Sequence, residues 1–288
     1  MSVVASRQGG VEVLDLDRPH RLNALDVDTV ENLHARLEDA ERSGARAVLL
    51  RGRGRAFCSG FDLKQELSRS AEEGQLARLQ ALTARLRQMD VPSVCAVQGV
   101  AVGAGAELAL ACDIVVVATD ARLSFPDVRA GFAAGGGVTS VLPRLIGVAR
   151  ARMLLLTGGE VSGAQAHAIG MVAASCAEMD LEDEATTISR RLADLAPEAV
   201  ARVRASIDAG SFGQLDDALA RELDDMLATK YAPAGAATVR NFRAHGTYTE
   251  PDAGDSRALT DPARPLRPPS AASGVSSAPA HPIVNDVT

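Results

Sequence analysis

The chain has 288 residues, of which 47% are hydrophobic and 23% charged, a balance that supports a sizeable core in one or two folded domains. Its net charge of −7 argues against nucleic acid as a bulk partner, because phosphate backbones require a basic face. No apolar run is long enough to span a membrane, the N-terminus does not read as a secretion signal, and the four cysteines (Cys58, Cys95, Cys112, Cys176) show no CxxC pair or metal-ligand spacing. A soluble protein of the reducing cytoplasm, with no metal and no membrane or nucleic-acid partner, is the expectation. Cys95 and Cys112 sit in apolar runs and read as core thiols.

In chain order, residues 11–17 alternate as a strand, and 25–43 carry Val27, Val30, Leu33, Leu37 and Ala40 at helical spacing up to Gly44. Residues 45–52 read as a buried strand. An amphipathic helix at 72–89 (Leu76, Leu79, Leu82, Leu86) stops before Pro92. A second buried strand spans 92–100, a helix starts at Ala104, and a third strand covers 113–119. Helices near 138–156 and 163–169 and a strand at 170–175 continue the alternation. From residue 181 strands cease: 181–195, 198–209, 214–229 and 234–245 read as helices broken by Pro197, Gly210, Gly213 and Pro233. The expected organisation is a mixed α/β core over 1–195, a helical region over 196–248 and a disordered Pro/Ser/Ala-rich tail over 249–288. There is no fixed-period repeat. Alternation alone leaves doubly wound, barrel and spiral α/β folds open.

Two stretches carry the chemistry, RAFCSGFDLK (55–64) and QGVAVGAGAELALACD (98–113). In the second, a strand-like run passes through Gly99, Gly103, Ala104, Gly105 and Ala106 into a helix whose opening turn holds Glu107. Small residues at such a turn let a ligand approach bare backbone N–H groups, and a helix start favours negative charge. An anion site beside an acid suits enolate or acyl chemistry. Other motifs are missing. The Gly103–Gly105 cluster lacks GxGxxG and its acidic partner, and there is no GxxxxGK[ST] and no GxSxG. The histidines (His20, His34, His167, His245, His281) are scattered, and His34 and His167 read as packing or surface residues.

With RPHRLNALD (18–26), RAFCSGFDLKQ (55–65), VPSVCAVQGVAVGAGAELALACDI (91–114), LSFPDVRAGFAAGGGVTSVLPRLIG (123–147) and LLLTGGEVSGAQAHAIGMV (154–172) in this order, the chain resembles the crotonase (enoyl-CoA hydratase/isomerase) superfamily over residues 8–248. The resemblance implies an α/β spiral of ββα units with a C-terminal helical trimerisation region, and a homotrimer or a hexamer made of two trimers. It implies acyl-CoA thioester substrates and no cofactor. Carried over residue by residue, the backbone N–H groups of Phe61 and Ala104 would form the oxyanion hole. Glu107 and Asp127 would orient the water that adds to C3, with Asp127 favoured as the proton mediator at C2. Gly135 would assist that water through its N–H. His20, Arg21, Leu22, Ser59, Asp62 and Leu63 would contact CoA.

Hydratases of the superfamily carry a PE dipeptide where this chain has Pro126-Asp127. An aspartate keeps the acid but shortens its reach by one C–C bond, about 1.5 Å, and a misplacement of that size can cost on the order of 100-fold in rate. Enoyl-CoA hydratase is therefore the leading expectation. A Δ3-Δ2-enoyl-CoA isomerase using one acid, another acyl-CoA reaction, and a non-catalytic acyl-CoA-binding protein are the alternatives. Gly135 stands where dienoyl-CoA isomerases place an aspartate and argues against that activity. In the final helix Val239 and Phe242 stand where the family often has an aromatic and a basic residue approaching a neighbour's CoA, and Arg240 and Arg243 read as a solvated face.

Overall fold

Strand β1 (Val3–Gln8) and strand β2 (Val11–Leu16) form an antiparallel hairpin, pairing Val3 with Leu16 and Ala5 with Leu14. Helix α1 (Val27–Arg42) then starts where Asp26 Oδ1 accepts the Thr29 N–H at 2.9 Å, a cap that contributes about 1 kcal/mol. Its buried stripe of Val30, Leu33, Leu37 and Ala40 follows the helical period read from the sequence. Strand β3 (Ala47–Gly52), helix α2 (Arg69–Gln88) and strand β4 (Ser93–Val97) come next. Strand β5 (Val100–Val102), helix α3 (Ala104–Ala111), strand β6 (Ile114–Ala118) and strand β7 (Arg122–Ser124) follow. After them lie α4 (Val138–Ile146), α5 (Val148–Thr157), β8 (Glu160–Ser162), α6 (Gly163–Ala168), β9 (Ala174–Cys176) and α7 (Leu181–Asp194). Helices α8 (Pro197–Phe212), α9 (Leu215–Tyr231) and α10 (Pro233–His245) close the fold. This is a computed structural model, and it describes residues 2–212, 215–231 and 233–245. The tail expected at 249–288 lies outside the described residues.

The strands divide between two sheets. One has six strands in the order β1-β2-β3-β4-β6-β9, parallel from β2 onward, and the other has three in the order β5-β7-β8. Successive strands leave the first sheet for the second and return, β4 to β5, then β6 to β7, which is the expected spiral of ββα turns. The central strands β3, β4 and β6 are covered on both faces, hence their near-continuous apolar runs. The core includes Leu49, Leu50, Val94, Cys95, Val116, Val117 and Phe125, all essentially inaccessible. As expected, Cys95 and Cys112 are core thiols, and burial pushes the neighbouring Cys58 thiol up to about 12.

Five details differ from the sequence reading. The hairpin gains β1, and the run 92–100 is two strands in different sheets. The cause is Gly99, at φ +59, where a Cβ would drive into the Arg55 carbonyl. The helix near 138–156 is broken at Gly147, whose φ of +80 ends α4 and begins α5. The strand at 170–175 begins only at Ala174, because Gly170 and Met171 close the α6 turn through N–H bonds to the His167 and Ala166 carbonyls. Finally, β7 and β8 are three-residue strands, too short to show a period of two.

Helix α8 is tied to the core by Arg204, whose Nε donates to Asp113 Oδ1 at 2.6 Å. Its remaining nitrogens reach the Met89 and Leu86 carbonyls. Asp113 Oδ2 accepts both the N–H and the hydroxyl of Ser93.

The Gly99 turn supplies a test. Gly99→Ala combines a left-handed backbone with a collision against backbone, so it should destabilise the fold by at least about 3 kcal/mol in urea denaturation. A loss below about 1 kcal/mol would contradict this account of the strand break.

Candidate active site

The segment 56–61 runs beside β5 with no side chains between the two backbones. The Cys58 N–H donates to the Val100 carbonyl at 3.1 Å, and the Val102 N–H donates back to Cys58 at 3.0 Å. A Cβ on Gly60 would lie 2.6 Å from the Val102 carbonyl and 3.7 Å from the Ala104 nitrogen. One on Gly105 would strike the Cys58 carbonyl. Only bare backbone fits at these positions, so the loop and the start of α3 meet at contact distance. Leu25 bridges to Phe61: its N–H donates to the Gly60 carbonyl at 2.8 Å, and its carbonyl accepts the Asp62 N–H at 3.0 Å. Among the described residues the N–H groups of Phe61 and Ala104 donate to no protein acceptor. Ala104 is the first residue of α3, where the helix leaves its N–H groups unbonded and its dipole favours an anion.

Two carboxylates attend this helix start. Glu107 is 3% exposed and lies one turn past Gly103, to whose carbonyl its own N–H donates at 2.9 Å. Its Oε1 accepts the Gly135 N–H at 3.1 Å. The triple glycine serves this contact. A Cβ on Gly136, which has φ +61, would fall 2.7 Å from Glu107 Oε2, and Gly137 turns into α4 with φ +77. Asp127 begins a short 3-10 turn behind Pro126, and its carbonyl accepts the Phe132 N–H at 2.8 Å. Its Oδ1 lies 3.5 Å from the point a Cβ on Gly103 would occupy, and its Oδ2 is buried. Both acids therefore point inward, toward the same end of α3. Such a cluster can bind a developing oxyanion and hold a water or proton beside it.

The residues expected to contact CoA form one corner. Ser59 donates its N–H to the Leu22 carbonyl at 3.0 Å, with its hydroxyl 3.4 Å from the Arg21 carbonyl. The nearly buried Asp62 carboxylate pairs with Arg18 at 3.1 Å and Arg21 at 3.8 Å. It thus pins the loop to the 18–26 turn. Leu22 and Asn23 have left-handed φ, and the buried Asn23 amide donates to the Arg53 and Ala56 carbonyls at 3.0 and 2.8 Å. His20 is exposed on this corner, and Leu63, half-buried, offers its carbonyl to Arg243.

The C-terminal helices reach the same region, which sequence reasoning missed. Met226 of α9 is buried against Gly135. Arg240 is exposed as expected, whereas Arg243 is not on a solvated face. It donates to the Leu63 carbonyl at 3.0 Å and the Gln65 carbonyl at 3.2 Å, and pairs with Glu72 at 3.3 Å. Glu72 also receives Lys230 at 3.4 Å and the Tyr231 hydroxyl at 3.0 Å. Burial pushes the Lys230 ammonium down, with Glu72 opposing it. Val239 is buried. Long-range partners of this kind leave no local signal in a helical pattern. Among the described residues no group of three His, Cys, Asp or Glu side chains is placed to hold a metal, and no helix is long and apolar enough to cross a membrane.

Known proteins share this fold. A family model described as Enoyl-CoA hydratase/isomerase matches residues 6–236. The chain is 32% identical to a short-chain-enoyl-CoA hydratase of Clostridium acetobutylicum, over 77% of this chain and 86% of that one. It is 34% identical to the 1,2-epoxyphenylacetyl-CoA isomerase of Escherichia coli, over 77% and 87%. The crystal structure of an enoyl-CoA hydratase from Mycobacterium avium subsp. paratuberculosis superposes with a TM-score of 0.79 at 26% identity, covering 88% of this chain and 99% of that one. On the family match and these relatives, the chain belongs to the enoyl-CoA hydratase/isomerase family and has the crotonase fold.

Proposed function

We propose that the protein is an enoyl-CoA hydratase, adding water across the C2=C3 bond of trans-2-enoyl-CoA thioesters. The observation that carries this reading is the pair of acceptor-free amides, Phe61 and Ala104, beside two inward-pointing carboxylates at one helix start. The thioester oxygen accepts both N–H groups and becomes the enolate oxygen as water adds. Losing one such donor typically costs about 3–4 kcal/mol of barrier. Glu107, held by the Gly135 N–H, orients the water with Asp127. The water oxygen bonds to C3, and one of its protons travels through Asp127 to C2, leaving the two acids as they began. Two acids sharing a water repel, which favours keeping one protonated while the other is charged. CoA lies along the corner of His20, Arg21, Leu22, Ser59, Asp62 and Leu63. The chemistry uses no cofactor, and a cytoplasmic setting, expected from the free thiols, belongs to the same reading.

A specific observation keeps the Δ3-Δ2-enoyl-CoA isomerase reading as the second one. Asp127 is one methylene short, and an isomerase needs a single acid to move a proton between carbons. In either case Phe61 and Ala104 perform the same task.

Self-association as a trimer, or as two stacked trimers, is also proposed. Its support is a largely apolar groove of about 820 Å3 lined by Leu145, Met171, Leu195, Val200, Val203 and Ile207, with neither Glu107 nor Asp127 in its wall. Val203 and Ile207 are 60% and 58% exposed on α8, a face suited to cover by a second copy.

Crotonyl-CoA hydration, followed by loss of the conjugated thioester absorbance, tests the reaction. Glu107→Gln and Asp127→Asn should each lower kcat by about 10²–10⁴-fold while butyryl-CoA still binds. Full activity in both variants refutes the assignment, and activity confined to 3-enoyl thioesters selects the isomerase. Light scattering should give three or six times the chain mass, falling toward one with Val203→Glu plus Ile207→Glu. A monomeric native protein would overturn the assembly.

A further inference from the structure

We propose that Met226 caps the acyl end of the cavity and restricts the site to short-chain acyl-CoA thioesters. This rests on the acyl-CoA reading above and names the substrate length that reading leaves open. The geometry is local. A Cβ on Gly135 would lie 3.8 Å from Glu107 Oε2 and 3.1 Å from Met226 Cε, and would collide with the Met226 sulfur. The catalytic carboxylate and the thioether therefore flank one point. An acyl chain that places C3 against Glu107 meets Met226 as soon as it extends past Gly135.

Neighbouring apolar residues are packed as closely. Ala134, Val138 and Val141, on the loop and α4, are buried behind Gly135. Met226 itself is 5% exposed, so it fills this space rather than lying over it. Helix α9 is held from both ends. The Gln80 side-chain amide donates to the Leu219 carbonyl at 3.1 Å, and Glu72 grips Lys230 and Tyr231. With the helix fixed, cavity length is set by the Met226 side chain.

The test compares affinities of wild type and Met226→Ala for free CoA, butyryl-CoA and decanoyl-CoA by calorimetry, a readout independent of turnover. Each buried methylene ordinarily raises affinity about fourfold, so an open tunnel would favour decanoyl-CoA strongly. Wild type should bind butyryl-CoA at least as tightly as decanoyl-CoA. In Met226→Ala the affinity ratio should move toward decanoyl-CoA by at least about tenfold, with free-CoA affinity reporting that the rest of the site is intact. If Met226→Ala loses free-CoA binding, Met226→Val is read by the same ratio. A length-blind ratio, or a wild type that prefers decanoyl-CoA, overturns the cap while leaving the acyl-CoA reading in place. Absence of any acyl-CoA binding to wild type overturns that reading, and the cap with it.

Discussion

The fold depends on backbone meeting backbone where the 56–61 loop lies against β5 and the start of α3. Gly60, Gly99 and Gly105 are there because a Cβ at any of them would enter a carbonyl group. The close approach satisfies several of the local amides, and among the described residues those of Phe61 and Ala104 are left without a protein acceptor. Orphaned amides in a folded protein are costly, and they persist when something else is meant to fill them. The two-sheet spiral makes this possible: β4 ends in one sheet, Gly99 turns the chain, and β5 delivers Gly103 and Ala104 to the loop after β3.

The acids are held by equally specific means. Glu107 gains its place from helix geometry and keeps its direction through the Gly135 N–H, while Gly136 gives it room. Asp127 reaches the same helix end from the turn after β7. On the far side α9 and α10 fold back onto their own chain, with Glu72 joining Lys230, Tyr231 and Arg243. Part of the wall around the carboxylates is thus supplied by the same chain, through Met226 of α9. The apolar face of α8, with Val203 and Ile207 outward, is free of that duty.

Much of this was legible in the residues, and the exceptions have physical reasons. Runs such as 113–119 read as strands because parallel strands buried on both faces are apolar throughout. Glu107 and Ala104 stood out because small residues entering a helix beside an acid are a local pattern. Asp127 needed the superfamily resemblance, since Pro-Asp alone is also an ordinary turn. The split at Gly99 was hidden because a glycine within an apolar run looks like one strand until the Arg55 carbonyl is placed beside it. Met226 and Arg243 were hidden for a different reason. Their partners lie roughly ninety or more residues away, and helical periodicity marks a buried face without saying what it covers.

The central claim is that two amides polarise a thioester carbonyl. Infrared difference spectroscopy of bound butyryl-CoA, isotopically labelled at that carbonyl, reads it directly. The account predicts a C=O stretch shifted to lower frequency than in water, because two fixed donors on a helix start withdraw more charge than mobile solvent. A stretch at or above its aqueous position would contradict it.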